Sequence, residues 1–244
     1  MVLKNSQGAE MAKKEIKDIK ISPKYYQSDW RALDLTKNNK NDWSKAIDIF
    51  KDRIEGRYLK QIEALDTNAD KDIRFYSGFA IMSLTCLLIE TLEQFWTGNP
   101  QTSRKSKTSI KKKLNLWNKI FKKDQSTISN DALAFYNFFQ RSDKFRSFFD
   151  THEKANVFYT KIRCGLLHQG QTKGKSLIHI RSSEPMLCWL NNSNIEEGVS
   201  INRREFVKEV GEVYKKYIET LEKSDLNFKR KTLEKKMKHI VDMK

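Results

Sequence analysis

Apolar residues recur along this chain at spacings of three and four far more often than they alternate. That is the mark of helices with one buried face. Trp43, Ile47, Phe50, Ile54, Tyr58, Ile62 and Leu65 make one stripe and predict a helix over 42–65, capped by Asn41 and ended by Asp66-Thr67-Asn68. The next helix, predicted over 71–97, is apolar on most sides, from Phe79 and Ile81 through Cys86 and Ile89 to Phe95 and Trp96. Such a helix belongs at the centre of a bundle. Gly98 suits a C-cap and Pro100 cannot continue the helix. Residues 131–149 carry Phe135, Tyr136, Phe138, Phe139, Phe145, Phe148 and Phe149, and predict a helix with a break near Ser142. Their helical spacing favours core packing over a base-stacking surface.

Asp150 with Glu153 resembles a capping box and starts a predicted helix over 151–169, with Gly170 as its C-cap. Beyond Gly174 the period shortens. Two short runs, 176–181 and 186–190, flank Ser-Ser-Glu-Pro and predict a small β-hairpin over about 176–190. Asn202 and Glu205 then cap a helix whose inner face is Phe206, Val210, Val213, Tyr217 and Leu221. Residues 1–40 are polar and weakly periodic and read as a flexible arm, with at most a short helix near 11–21. Residues 224–244 read as a basic amphipathic helix or a tail. The expected fold is mainly α, a bundle of four or more helices over 41–223 with a β-hairpin appendage.

Charge changes this picture. The chain has 47 Lys and Arg against 31 Asp and Glu, a formal charge of +16. Between residues 101 and 123 nine bases meet no acid, so this stretch, within an insertion at about 101–130, supplies over half of the excess. A basic excess of this size favours polyanions, of which nucleic acid is the commonest in a cytosol, although a merely solvated basic surface gives the same count. No unbroken apolar run reaches about 18 residues and the N-terminal residues carry no apolar h-region, so the expectation is a cytoplasmic protein without membrane attachment. Cys86, Cys164 and Cys188 are far apart in apolar contexts, which predicts neither a disulfide framework nor a metal site. No cofactor is expected: there is no Gly-rich phosphate loop, nucleophile elbow or His-Glu-x-x-His helix.

One segment carries chemistry. Arg163-Cys164-Gly165-Leu166-Leu167-His168 places a permanent cation and an imidazole near the end of a largely apolar helix. RNA cleavage without a metal needs a group that takes the 2′-hydroxyl proton and a group that stabilises charge on phosphate. Arg-x4-His near a helix end, inside a small helical bundle, resembles the signature of HEPN domains, a superfamily that includes toxin, abortive-infection and CRISPR-associated ribonucleases. The resemblance covers roughly residues 43–190. It implies a helical, commonly dimeric RNase that cuts RNA to a 2′,3′-cyclic phosphate and a 5′-hydroxyl, with two motifs facing each other. His168 would resemble the family's acid/base and Arg163 its phosphate contact. Many active members have a polar residue directly after the Arg; this chain has Cys164, which packs where Asn would hydrogen-bond.

Spacing supports a two-chain site. Residues five apart on an α-helix are offset by about 140° and roughly 7.5 Å, so one chain's Arg163 and His168 need not converge on one atom. Glu90 in the most apolar helix either meets Arg163 as a supporting partner or lies on a polar strip with Thr91 and Glu93. Gln169, Gln171, Lys173 and Lys175 follow the motif and offer contacts to an RNA backbone, or form a solvated loop. Lys111, Lys112 and Lys113 are further RNA-binding candidates. His179 reads as a strand residue. Three functions fit: a metal-independent endoribonuclease of a phage-defence or toxin-like system, with a possible defence partner protein; a non-catalytic HEPN-like module that binds nucleic acid or protein; and a helical interaction module.

Overall fold

The structure is a computed structural model that describes residues 18–36, 39–99, 130–223 and 227–242. Pro100 and almost all of the basic insertion, including Lys111, Lys112 and Lys113, lie outside the described residues, as do 11–17 of the helix expected near 11–21. What is described is mainly helical with a small three-stranded sheet.

Short polar side chains start the helices by accepting from otherwise unpaired amides. Asn39, two residues before the expected cap, accepts from the amide of Asp42 and starts α2 (Lys40–Ile54). A π-helical turn, Glu55–Leu59, joins α2 to α3 (Lys60–Asp66), so the predicted helix over 42–65 is continuous but not uniform. Asp70 caps α4 (Lys71–Tyr76) through the amides of Asp72 and Ile73.

The single helix expected over 71–97 is in fact two. Ser77 leaves helical geometry, with φ −73° and ψ 2°, and α5 (Gly78–Thr97) starts after it. Arg203, only 3% exposed, occupies the corner. Its Nη2 donates to the Arg74 carbonyl at 2.7 Å and to Asp66 at 3.1 Å. A Cβ on Gly78 would lie 2.8 Å from its Nη1. A distant arginine thus satisfies the carbonyl at which the chain turns. Gly98 ends α5 in the left-handed conformation expected of a C-cap.

The aromatic run divides at Ser142, whose hydroxyl accepts from the Phe145 amide, giving α6 (Asn130–Phe139) and α7 (Asp143–Phe148). Phe135, Phe138, Phe139, Phe145 and Phe149 are fully buried and interlock, with Phe139 and Phe149 stacked at 3.8 Å. The motif helix follows as α8 (His152–Phe158), a π-helical turn Tyr159–Arg163, and α9 (Cys164–Gln169). Thr151, rather than Asp150, is its cap. Asn202 caps α10 (Arg203–Glu222), whose expected face from Phe206 to Leu221 is buried. Of the two forms open to the C-terminal segment, residues 227–242 take the helical one, α11 (Asn227–Asp242), with Leu233, Met237 and Val241 in the core. Helix α5 touches α3, α6, α9, α10 and α11 and is the centre the pattern predicts. By length and composition α5 could cross a membrane, yet 56% of its most apolar window is buried among the other helices.

Two further expectations need correction. The predicted hairpin over 176–190 does not form: β1 (Leu177–His179) and β2 (Leu187–Trp189) are separated by β3 (Val199–Asn202) in the order β1-β3-β2. Strand β3 pairs parallel with β1 and antiparallel with β2. All four residues of β3 are buried, which suits a middle strand. Four residues leading into a helix cap are too few to show a strand period. The arm expected over 1–40 also holds less of the chain. Residues 18–36 pack, with α1 (Gln27–Arg31) and buried Ile21 and Trp30. Arg53 donates to the Ile21 carbonyl, and Asp52 accepts from the Lys24 amide at 2.9 Å. Backbone bonds to α2, invisible in a polar composition, hold this segment.

Lys236 on α11 is 6% exposed, and burial, then the charge of Arg53, lowers its ammonium to about 8. A base whose pKa falls on folding leaves the unfolded chain holding the extra proton between about pH 8 and its ordinary 10.5. Its contribution to stability therefore rises with pH through that window. The buried phenols of Tyr214 and Tyr217, pushed up by burial, act oppositely once unfolded tyrosines ionise above about pH 10. Urea unfolding of the parent should show stability rising between about pH 8 and 10, and Lys236→Met should lose that rise. A Met variant with the same pH dependence as the parent contradicts this account.

Candidate active site

The π-helical turn decides where the motif points. Over Tyr159–Arg163 the ladder runs to the fifth residue, and the Cys164 amide donates to the Tyr159 carbonyl. The extra residue per turn shifts the phase of everything after it, a device common at functional sites. Arg163 ends that turn facing α5, where Glu90 receives it. Nε donates to Oε1 at 2.6 Å and Nη2 donates to Oε2 at 3.3 Å, a two-pronged guanidinium–carboxylate pair. The side chains are 17% and 13% exposed. Burial alone would weaken the Arg163 charge; the hydrogen bond and charge of Glu90 more than offset it, so the guanidinium pKa is raised. Of the two readings open for Glu90, the structure takes the pairing one. Glu93, one turn further on, is bound by Arg141 at 2.6 Å.

The Arg163 guanidinium also lies over the ring of Tyr159, its carbon 5.4 Å from the centroid. The Tyr159 hydroxyl donates to Asp131 at the start of α6, at 3.2 Å. Burial, the neighbouring Cys164 thiol and the Asp131 carboxylate all raise the phenol pKa, so it stays protonated near neutrality. Sequence reasoning missed both residues. Tyr159 lies one helical turn before Arg163, a spacing that brings side chains together, whereas nothing local marks Asp131.

Cys164 is half-buried, while Cys86 is fully buried with a thiol pushed far up by burial first and by Glu90 second. Cys86 is therefore an inert packing group, and Cys164 lies among Tyr159, Arg163 and Cys86.

His168 is placed differently. It is exposed on α9, and among the described residues it has no hydrogen-bond or ion-pair partner. Arg163 is mostly buried against Glu90 while His168 is exposed, and among the described residues no hydrogen bond joins the two in one chain. Gln169 is exposed beside His168, and Gly170 closes the helix in the left-handed conformation. The chain then folds back over the helix end: the Lys173 amide donates to the Lys161 carbonyl at 2.9 Å. Gly165 makes this possible, because a Cβ there would stand 2.5 Å from the Gln171 carbonyl oxygen. Lys173 is half-buried over Gly165, and Lys175 is exposed and paired with Glu197 at 3.4 Å. His179 is engaged at both nitrogens, by the Arg181 amide and by Glu184, which fits a structural strand residue. Among the described residues, no three His, Cys, Asp or Glu side chains gather as a metal site.

Comparison with protein-family models, curated proteins and solved structures gave no match.

Breaking a largely buried ion pair leaves one charge without its partner, which costs several kcal/mol in a closed site and less where water reaches it. Glu90→Ala should destabilise the fold by about 2 kcal/mol in urea unfolding, and His168→Ala by less than about 0.5 kcal/mol. Equal effects would mean that Glu90 and Arg163 are not the neutralised pair described.

Proposed function

We propose that the chain is a HEPN-type endoribonuclease that needs no metal, working as a homodimer in the cytoplasm. The observation that carries the reading is the Glu90–Arg163 fork together with an exposed His168 that has no hydrogen-bond or ion-pair partner among the described residues. Glu90 takes Nε and one N–H of Nη2. The remaining N–H groups, both on Nη1 and one on Nη2, are free to donate to a non-bridging phosphate oxygen. His168, in its neutral form, accepts the 2′-hydroxyl proton as the 2′-oxygen attacks the adjacent phosphorus. The P–O5′ bond breaks, the 5′-oxygen takes a proton, and the products are a 2′,3′-cyclic phosphate and a 5′-hydroxyl. Arg163 stabilises the charge on the five-coordinate phosphorus.

Helical spacing supports a site shared between chains, Arg163 of one protomer meeting His168 of the other, because residues five apart on a helix are offset by about 140°. The exposed strip of α5 supports the same arrangement. Phe79, 42% exposed, and Leu87, 36% exposed, share that strip with Glu90, and covering them with a second copy buries apolar surface beside the site. Gln169, Lys173 and Lys175 flank His168 and are assigned to the RNA backbone, together with Lys111, Lys112 and Lys113 of the basic insertion. A role in phage defence or as a toxin-like effector, with a possible partner protein, fits an RNase of this kind.

Cys164 favours a second reading. It packs among Tyr159 and Cys86 instead of offering the polar group that many active HEPN domains carry after the Arg, as expected of a binding module with a lapsed site. The two readings separate in one assay. Purified protein with labelled single-stranded RNA in excess EDTA should give fragments ending in a 2′,3′-cyclic phosphate, and Arg163→Ala and His168→Ala should each lower the rate at least 100-fold. RNA that is bound with a steep salt dependence but left intact supports the binding module instead.

A further inference from the structure

The geometry points to Tyr159, held by Asp131, as a positioning residue that fixes the free edge of Arg163 toward the substrate phosphate. The inference rests on the ribonuclease reading for its consequence, and on contacts within one chain for its cause.

A guanidinium is a flat group on a long stem, and one carboxylate constrains it incompletely. The Glu90 fork fixes the Nε–Nη2 edge within the plane, at 2.6 and 3.3 Å. It leaves the group free to tilt about the line joining the two oxygens. The Tyr159 ring at 5.4 Å lies against the guanidinium and opposes that tilt. The ring needs support of its own, and it has two sources. Phe135 packs against it with centroids 5.7 Å apart, and Asp131 accepts its hydroxyl hydrogen at 3.2 Å. Three elements thus converge on one side chain: Glu90 from α5, Asp131 from α6, and Tyr159 from the π-helical turn. That turn makes the contact possible, because Tyr159 is its first residue and Arg163 its last.

The contacts of Tyr159 among the described residues include Arg163, Asp131 and Phe135, and its effect reaches the chemistry through Arg163. A misplaced phosphate contact weakens the transition state more than the bound ground state. Loss of the ring should therefore lower kcat while KM changes little.

Two readouts on the full-length protein separate this inference from the reading beneath it. With ¹⁵N-arginine labelling, the Arg163 Nε–H signal is identified by its loss in Arg163→Lys. In the parent it should be ring-shifted, with an order parameter near the rigid value of about 0.85. Tyr159→Leu should move the signal toward the ordinary arginine position and lower the order parameter below about 0.6, while Tyr159→Phe, which keeps the ring and loses only the bond to Asp131, should give a smaller change in the same direction. Asp131→Asn, which leaves the ring in place, should give a smaller change in the same direction and serves if the Leu variant does not fold. In the RNA assay Tyr159→Leu should lose about tenfold in kcat with KM within about twofold, and Tyr159→Phe should stay within about threefold. An Arg163 signal that is unmoved and equally ordered in both Tyr159→Leu and Asp131→Asn overturns the positioning role, whether or not RNA is cut. Intact RNA with the parent protein removes the ribonuclease reading while the arginine signal still decides the role of Tyr159.

Discussion

A carboxylate in the most apolar helix of a bundle must be neutralised where it stands, and that requirement organises this protein. Glu90 lies on α5, the helix that the others pack around, and water reaches only a small part of its side chain. Leaving it unpaired would cost several kcal/mol. Arg163 answers it, and so the motif helix must pack against α5 in one register and at one rotation. The π-helical turn over Tyr159–Arg163 supplies that rotation, and Gly165 lets the following loop close over the helix end. Stability and candidate chemistry meet in the same pair. The fork that satisfies Glu90 also leaves one edge of a fixed cation open.

The same logic recurs elsewhere with a different outcome. Glu93 meets Arg141, and Asp66 meets Arg203 and Arg204. There Arg141 binds Glu93 through two of its nitrogens and lies over Trp96, Arg203 spans Asp66 and the Arg74 carbonyl, and the half-exposed Arg204 binds Asp66 through Nε. Arg163 differs in its place in the sequence: it ends the π-helical turn, and the helix that follows carries the exposed His168 and Gln169. A high positive charge is thus a weak guide to function by itself, since many of these cations bind the protein's own carboxylates and carbonyls.

Local pattern made the helices and the motif legible. Spacing of apolar residues located α2, α5, α6 and α10, and Ser142, Gly98, Gly170 and Asn202 marked ends where their backbone roles require them. The pairing of Glu90 with Arg163 was one of two options, because a buried charge demands a partner without naming it. Features set by distant groups were not legible. Arg203 breaks the helix at Ser77 from more than 100 residues away, β3 intervenes between two runs that look like a hairpin, and Asp131 reaches Tyr159 across the core. Residues 18–36 also looked loose, because backbone bonds to α2 hold them more than a stripe of apolar side chains does.

The central claim is a site divided between chains: Arg163 fixed by its own Glu90, with His168 supplied by the other protomer. Mixing two inactive variants tests it most directly. When Arg163→Ala and His168→Ala proteins are dissociated and re-paired, half of the dimers are mixed, and each mixed dimer holds one complete site. The account predicts recovery of about a quarter of the parent's RNA-cleaving rate, with a cyclic phosphate at the new end. A mixture that stays inactive, beside an active parent, would show that both residues must act within one chain.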